Sequence, residues 1–157
     1  MIFIMVGTHI QPFNRLLKEI DSLIENKIIT EETIAQIGNS TYIPKNYKYE
    51  RFFPEEDRNK LLKNSRLIIT HAGAGCIIDS LMVGKIPIVV PRLKKYGEHN
   101  NDHQIDIMKE FQNQNKVISV YNLDDIGKKI NKTTSITFKT QNSELIEKLK
   151  HYIGSLV

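Results

Sequence analysis

The sequence predicts a single α/β domain built around a doubly wound parallel sheet. Short apolar runs, rich in β-branched residues, alternate along the chain with stretches in which apolar residues recur at helical spacing. This alternation is typical of consecutive βαβ units. The chain has 157 residues, of which 40% are hydrophobic and 25% charged, a size and composition that suit one globular domain with a sizeable core. We therefore expect residues 1–157 to form one domain.

Three strands and two helices are predicted for the first half of the chain. Residues 2–6 are uniformly apolar, as in a strand that is buried on both faces. Apolar residues recur at helical spacing after Pro12, so an amphipathic helix is expected to begin there. The remaining elements of this half are a strand over residues 34–37, a short strand around 49–52 and a helix over 54–64.

The second half of the chain is predicted to contain three strands and two helices, one after the first of these strands and one after the third. The strands are expected over residues 66–70, 86–90 and 117–120, and the helices begin near Gly75 and cover residues 124–130. In a parallel sheet of this kind, ligands bind outside the carboxyl ends of the strands. The polar loops that follow the strands should therefore meet at one crevice.

The turn after residue 70 carries the strongest functional signal. Gly73 and Gly75 let the backbone approach a ligand closely, and unpaired amides at the start of the next helix favour anionic oxygens there. No lysine followed by Ser or Thr completes a Walker A motif, and the glycines do not read G-x-G-x-x-G. The turn predicts a nucleotide-diphosphate site. Its expected phosphate-binding residues are His71, Gly73, Ala74, Gly75 and Cys76.

Two further positions are candidates for contact with the nucleotide. Asp79, eight residues after His71, lies on the predicted helix and could accept hydrogen bonds from both ribose hydroxyls; the alternative is a solvated acid near the helix N-terminus. Gly7 and Thr8 follow the first strand, so their amides could face a phosphate. A simple strand-to-helix turn is the alternative for that pair.

The histidine, the glycine turn, the acid and a downstream D-x-Q element resemble the donor-binding motif of GT-B glycosyltransferases, specifically the glycosyltransferase family 28 C-terminal domain. The resemblance rests on His71, Gly73, Gly75, Cys76, Asp79, Gly84, Pro87, Asp102 and Gln104. With residues 1–21 and 91–104 it spans nearly the whole chain. It implies a Rossmann-like sheet equivalent to the C-terminal, donor-binding half of a GT-B fold. Cys76 stands where the family usually has Ser or Thr, and Asp79 where Glu is more common.

The chain is most similar in character to small, single-domain members of that family, which are the catalytic halves of two-subunit transferases. Such proteins act in bacterial capsule and exopolysaccharide synthesis and in the second step of dolichol-linked oligosaccharide assembly. The resemblance implies an inverting, metal-independent transferase that moves galactose or N-acetylglucosamine from a UDP-sugar to a lipid-linked saccharide. It would need no cofactor besides this donor and would work with a membrane-anchored, acceptor-binding subunit.

Two alternatives belong to other functional classes. One is a non-catalytic nucleotide-sugar-binding module that regulates a separate transferase. The other is an epimerase of GT-B architecture, which the length of 157 residues disfavours because such enzymes carry both domains in one chain.

The resemblance and the chemistry together assign roles in two loops. An inverting transferase needs a base for the acceptor hydroxyl, and His9 is preferred because a neutral imidazole suits that role near pH 7; the base could equally come from the partner subunit. His99, Asp102 and Gln104 are expected to contact the donor sugar. His99 and His103 are four residues apart and would share a helix face. A metal site there is disfavoured because Asn100 replaces the Glu of H-E-x-x-H.

The net charge of +4 calls for an anionic partner, and a membrane surface fits better than nucleic acid. The lysines are dispersed and no nucleic-acid-binding module is recognisable, whereas a lipid-linked acceptor would bring the protein to anionic headgroups. Lysines 128, 129 and 132 could face the membrane, although a solvated face is the alternative. The basic residues of the loop after residue 91 are expected to be solvated or near the diphosphate. They are Arg92, Lys94 and Lys95.

The remaining expectations concern location and the end of the chain. No stretch is long and apolar enough to span a membrane and no leader is evident, and a single cysteine suits a reducing compartment. We therefore expect a cytoplasmic protein at the inner face of the membrane. Residues 143–156 show an apolar helical stripe, which either packs on this domain's own sheet or docks the partner subunit.

Overall fold

The computed structural model describes residues 1–133, and the predicted parallel α/β sheet is present there. The strands are β1 Ile2–Met5, β2 Thr33–Gln36, β3 Lys48–Glu50, β4 Leu67–His71, β5 Ile88–Val90 and β6 Ile118–Ser119. The helices are α1 Asn14–Glu25, α2 Glu55–Asn64, α3 Ala74–Met82, α4 His103–Asn113 and α5 Ile126–Lys132. Short 3-10 turns occupy Lys94–Tyr96 and Leu123–Asp125.

The six strands pair in the order β3-β2-β1-β4-β5-β6, and every pair is parallel. Ile2 of the central strand β1 is in register with Thr33 of β2 and with Leu67 of β4. The winding of the chain reverses between β1 and β4, and ligands of doubly wound sheets bind at such a switch point. The loops that follow β1 and β4 are therefore where a ligand is expected.

Helices cover both faces of the sheet, and alternate strand residues pack to opposite sides. Ile4 of β1 packs on the side of α1 and α5, whereas Phe3 and Met5 pack on the side of α2. Val89 of β5 packs against α3 and α4 on this second side. Burial on both faces explains why the strands read as continuous apolar runs rather than as alternating ones.

The predicted elements coincide with the observed ones to within a few residues at their ends, with one exception. The apolar pattern did not predict α4. The expectation that His99 and His103 share a helix face is wrong, because α4 begins at His103 and Asp102 is its N-cap residue. His99 lies in the loop before the helix.

The residues expected to face the membrane or the partner lie near the end of the chain. Residues 143–156, with their predicted docking stripe, lie outside residues 1–133. No helix in the described part of the chain has the length and apolar character required to cross a bilayer. Lys129 turns toward the sheet, where its ammonium donates to the carbonyl of Ser119, whereas Lys128 and Lys132 are exposed.

Candidate functional site

His71 ends β4, and its ring fills the space between the two glycine-containing loops at the switch point. A Cβ atom at Gly7 would lie 2.5 Å from His71 Cε1, and a Cβ atom at Gly73 would lie 2.2 Å from His71 Nε2. Only glycine can pass so close to the imidazole. Gly7 also has a φ of +78°, in the left-handed region that glycine favours. The ring of His71 thus sets the path of both loops.

The His71 imidazole is buried and neutral. Burial is the main cause that lowers its pKa to about 3, and the positive charge of Arg92 lowers the pKa further. Thr70 Oγ1, which donates to the carbonyl of Met5 at 2.9 Å, lies 3.4 Å from His71 Nδ1. A neutral ring in this position supports the loops. The direct contact of His71 with a phosphate stays a prediction.

Because of His71, we expect the free energy of unfolding to fall by about 2 kcal/mol between pH 7 and pH 5. The unfolded chain binds a proton on this residue near pH 6.5, whereas the folded chain remains neutral down to about pH 3, so acid favours the unfolded state. Urea unfolding at the two pH values measures the change. The pKa of His9 is also lowered, so the free energy of unfolding of His71→Asn should still fall toward acid pH, but less steeply than that of the wild type. A full wild-type slope in that variant would contradict the assignment to His71.

The start of α3 presents unpaired amides to the crevice. Gly73 is the N-cap residue and no side chain caps this helix, so the N–H groups of Ala74, Gly75 and Cys76 have no intrahelical partner. A Cβ atom at Gly75 would meet no atom within 4 Å. An anion that approaches over Gly75 would therefore meet N–H donors and the positive end of the helix dipole.

The side chains of Cys76 and Thr8 differ in their accessibility. Cys76 packs against the cluster between β1 and α2, and burial raises the pKa of its thiol, so the group is neutral at pH 7 and unsuited to nucleophilic attack. Thr8 is exposed directly after Gly7. Contacts of these two residues with a phosphate stay predictions.

Asp79 lies on α3 and forms an ion pair that the sequence did not predict. Its Oδ2 accepts a hydrogen bond from Arg58 Nη1 at 2.7 Å, and both side chains are partly exposed. Oδ1 has no hydrogen bond to the described residues, so the pair leaves one carboxylate oxygen for a ligand hydroxyl. Arg58 comes from α2, on the same side of the sheet, and it fixes the orientation of the carboxylate.

His9 and His99 come from different loops and stack on each other. Their ring centroids are 4.5 Å apart and the rings are tilted by 33°. Burial, His99 and Arg92 lower the pKa of His9, in that order of size, so His9 is neutral at pH 7. Within residues 1–133, no group of three or more His, Cys, Asp or Glu side chains is placed to hold a metal ion.

The hydrogen bonds of this histidine pair determine which ring nitrogens can donate. The backbone N–H of Gln11 donates to His9 Nδ1 at 3.2 Å, and that of Asn101 donates to His99 Nδ1 at 3.4 Å. In a neutral imidazole the other nitrogen then carries the proton, so both rings present an Nε2–H donor. The role of His9 as a base stays a prediction, and it requires Gln11 to release Nδ1.

Asp102 and Gln104, the predicted sugar-binding residues, organise the β5–α4 loop in this ligand-free structure. Asp102 Oδ1 accepts from the N–H of Lys94 at 2.8 Å, and Gln104 Oε1 accepts from the N–H of Arg92 at 3.0 Å. Asp102 is exposed, whereas Gln104 is buried. Their contact with a sugar stays a prediction.

Arg92 is buried, so of the two expectations for the basic residues of this loop, solvation is wrong for Arg92 and proximity to the diphosphate stays a prediction. Its Nη1 donates to the carbonyls of Gln11 at 2.7 Å and Glu98 at 3.1 Å, and its Nη2 donates to the carbonyl of Val6 at 2.6 Å. The guanidinium therefore joins the β1–α1 loop to the β5–α4 loop. The sequence around Arg92 carries no local signal for this burial, because two of its three carbonyl partners lie in another loop.

Comparison with known proteins identifies relatives of this chain. Residues 1–152 match the family described as the glycosyltransferase family 28 C-terminal domain. The chain is 32% identical over 103 residues to UDP-N-acetylglucosamine transferase subunit ALG13 of Homo sapiens, and 33% identical over 86 residues to the Mus musculus protein of that name. The Yarrowia lipolytica protein of the same name is 32% identical over 66 residues.

These relatives are longer than the chain. The alignments cover 62%, 52% and 42% of this chain for the Homo sapiens, Mus musculus and Yarrowia lipolytica proteins. They cover only 8%, 7% and 32% of the relatives themselves. The similarity therefore concerns one segment of each relative.

Proposed function

The chain belongs to the glycosyltransferase family 28 C-terminal domain family, and from this premise we propose that it binds a UDP-sugar and transfers the hexose to a lipid-linked saccharide. The observation that carries the proposal is the uncapped start of α3, with its unpaired amides beside the switch point of the sheet. A diphosphate there would take the place of the missing cap.

The polar residues around α3 provide the rest of the donor site in this proposal. Asp79 Oδ1 accepts from the ribose hydroxyls while Arg58 holds Oδ2. Asp102 and Gln104 contact the hexose from the β5–α4 loop, where they already fold the backbone. His9 and His99 each donate Nε2–H to the diphosphate, because their Nδ1 atoms are occupied by backbone N–H groups.

The proposed reaction is a single displacement with inversion. The acceptor oxygen forms a bond to the anomeric carbon as the bond from that carbon to the phosphate oxygen breaks, and the electron pair leaves with UDP. The amides of α3 and the two imidazole donors stabilise the charge that develops on the departing diphosphate. The acceptor proton passes to a base, which is His9 once Gln11 has released it, or a group of the partner.

We include a partner in the proposal because the loops that follow the strands, at the carboxyl edge of the sheet, expose large hydrophobic side chains. Ile10 is 82% exposed in the loop after β1, and the others follow β3, β5 and β6. They are Phe52, Tyr96 and Tyr121. Exposed apolar side chains in several loops at the same end of the sheet favour an interface. We propose that a membrane-anchored, acceptor-binding subunit covers this edge at the cytoplasmic face of the membrane.

The donor sugar of this proposal is N-acetylglucosamine, in line with the name of the three relatives, and galactose is the alternative. Calorimetric titration with UDP, UDP-N-acetylglucosamine and UDP-galactose tests both. Binding of one UDP-sugar more tightly than UDP would support the donor site and identify the sugar. A folded chain that binds none of the three, with and without the partner, would refute it. Binding without transfer to a lipid-linked saccharide in the reconstituted pair would indicate a non-catalytic module.

We expect Gly75→Ala to weaken UDP binding about tenfold without cost to the fold. The new methyl group faces open space, and alanine in a helix is about 0.5 kcal/mol more favourable than glycine, so the thermal midpoint should equal or exceed that of the wild type. Titration with UDP and a thermal melt of the same sample measure the two effects. Unchanged UDP affinity would exclude an approach of the diphosphate over Gly75.

A further inference from the structure

The guanidinium of Arg92 is a buried charge without a carboxylate partner. Its hydrogen bonds all go to backbone carbonyls, and its Nε–H has no partner among residues 1–133. Glu98, the acid that acts on its charge, gives both carboxylate oxygens to Arg15, from Nε and Nη2 at 2.9 Å each. Arg15 and Glu98 therefore pair with each other, and within residues 1–133 the guanidinium of Arg92 has the ring of Phe13, 4.9 Å from its Cζ, in place of a paired carboxylate.

This situation is unusual for a protein interior. Arg92 is 1% exposed, and buried charges are normally paired with an opposite charge or lose their proton. Burial lowers the pKa of Arg92 only to about 10, so the side chain remains a cation at pH 7. An anion bound nearby would supply the missing counter-charge.

The charge of Arg92 acts on the crevice at the switch point. It lowers the pKa of His9 in the β1–α1 loop and that of His71 at the end of β4. The charged or titratable groups that act on His9 are His99 and Arg92, and His9 in turn acts on His71. The surroundings of the cation thus coincide with the loops that would surround the diphosphate.

We propose that Arg92 is a positioning residue for the donor: its guanidinium holds together the loops that carry His9 and His99, and its buried charge is balanced by the diphosphate of the bound nucleotide. The inference rests on the proposed function, because it needs an anion in the crevice. Attraction between this cation and a diphosphate is only weakly screened away from bulk water. Lys94 and Lys95, which are exposed, are screened far more.

The test compares a neutral variant, Arg92→Gln, with a charge-retaining variant, Arg92→Lys. We expect Arg92→Gln to bind UDP about tenfold more weakly and the pKa of His9, measured by NMR titration, to rise because the positive charge of Arg92 is removed. Arg92→Lys keeps a cation but loses the planar fork of donors, so it should lose less UDP affinity than Arg92→Gln and keep the low pKa of His9. Should Arg92→Gln fail to fold, Arg92→Met provides a neutral side chain that needs no hydrogen bonds.

Arg66→Gln is the matched control. Arg66 also joins distant segments, since it donates hydrogen bonds to Glu31 and to the carbonyl of Thr133. It directly precedes β4, at the amino ends of the strands, and therefore lies at the end of the sheet opposite the crevice. This control should lose stability and keep both UDP affinity and the His9 pKa. Wild-type UDP affinity in the neutral variant would overturn the proposal. Equal losses in Arg92→Gln and Arg92→Lys, with an unchanged His9 pKa, would also overturn it, because they would show a structural role alone.

The two readouts separate this proposal from the proposed function. A wild-type chain that does not bind UDP, with and without the partner, contradicts the proposed function, whereas the His9 titration reports on the charge of Arg92 with no nucleotide present. If the wild type binds UDP but the pKa of His9 is unchanged in Arg92→Gln, only the proposed role of Arg92 is contradicted.

Discussion

Replacement of Gly7 by alanine should lower the free energy of unfolding by about 3 kcal/mol and abolish UDP binding at millimolar concentrations. The new Cβ would lie 2.5 Å from His71 Cε1, at a residue whose φ is +78°. The ring cannot move away, because Gly73 approaches it so closely that its own Cβ would lie 2.2 Å from Nε2. Relief of the clash must displace a loop of the donor site. Urea unfolding and calorimetric titration measure the two effects.

Gly97→Ala separates backbone strain from the clash. Gly97 has a similar φ of +68°, but a Cβ atom there would meet nothing within 4 Å. This control should cost only about 1 kcal/mol, the strain of a left-handed alanine. A double variant, Gly7→Ala with His71→Ala, should lose less stability than the sum of the single variants, because the clash is gone. Equal costs for Gly7→Ala and Gly97→Ala would show that the ring does not constrain the loop.

We expect Asp79→Ala to weaken UDP binding about 100-fold, because two hydrogen bonds between a carboxylate and hydroxyls are lost. The fold should tolerate the change, since Asp79 and its partner Arg58 are both partly exposed and such pairs contribute little to stability. Calorimetric titration of the wild type and the variant with UDP measures the affinity. Asp57→Ala, which removes an exposed carboxylate from α2, is the control and should bind as the wild type does.

A thermodynamic cycle with 2′-deoxy-UDP assigns the lost affinity of Asp79→Ala to the ribose. The wild type should bind 2′-deoxy-UDP about tenfold more weakly than UDP, whereas Asp79→Ala should not distinguish the two ligands. A variant that still discriminates against the deoxy ligand would place the ribose elsewhere. Asp79 would then be important only through its pair with Arg58.

The fold was largely predictable because its strands are buried on both faces. β1 is uniformly apolar and β4 begins with three apolar residues, and such short runs have few other uses in a chain of this size. Helix α4 was missed because a loop rich in polar residues runs directly into it and its first buried side chain is Gln104. The positions of the strands, and hence a crevice at their carboxyl ends, followed from the alternation of elements, whereas the strand order and its switch point come from the structure.

The details of the site were less predictable, because they depend on contacts between distant segments. The burial of Arg92 depends on the carbonyls of Val6 and Gln11, which are 86 and 81 residues away in the sequence. The ion pair between Asp79 and Arg58 joins two helices. No local pattern reports which side chains from other loops will surround a charge, so sequence reasoning gave such residues their usual exposed state.

The glycines of the site show the same limit. The sequence assigned Gly73 and Gly75 the same purpose, the close approach of a ligand. In the structure Gly75 faces open space, whereas Gly73 is pressed against His71. A ligand could still approach the backbone at both residues, but only at Gly75 can a substitution test that approach without also destabilising the fold.

The packing of the His71 ring between two glycines also restricts the order in which this site can change during evolution. Neither Gly7 nor Gly73 can acquire a side chain while the imidazole is present, but the imidazole can be exchanged for a smaller group while both glycines remain. A lineage that loses the histidine first removes the clash at both glycines, but the φ of +78° still disfavours a side chain at Gly7. The three residues should therefore behave as one inherited unit, in which position 71 determines when Gly73 is released.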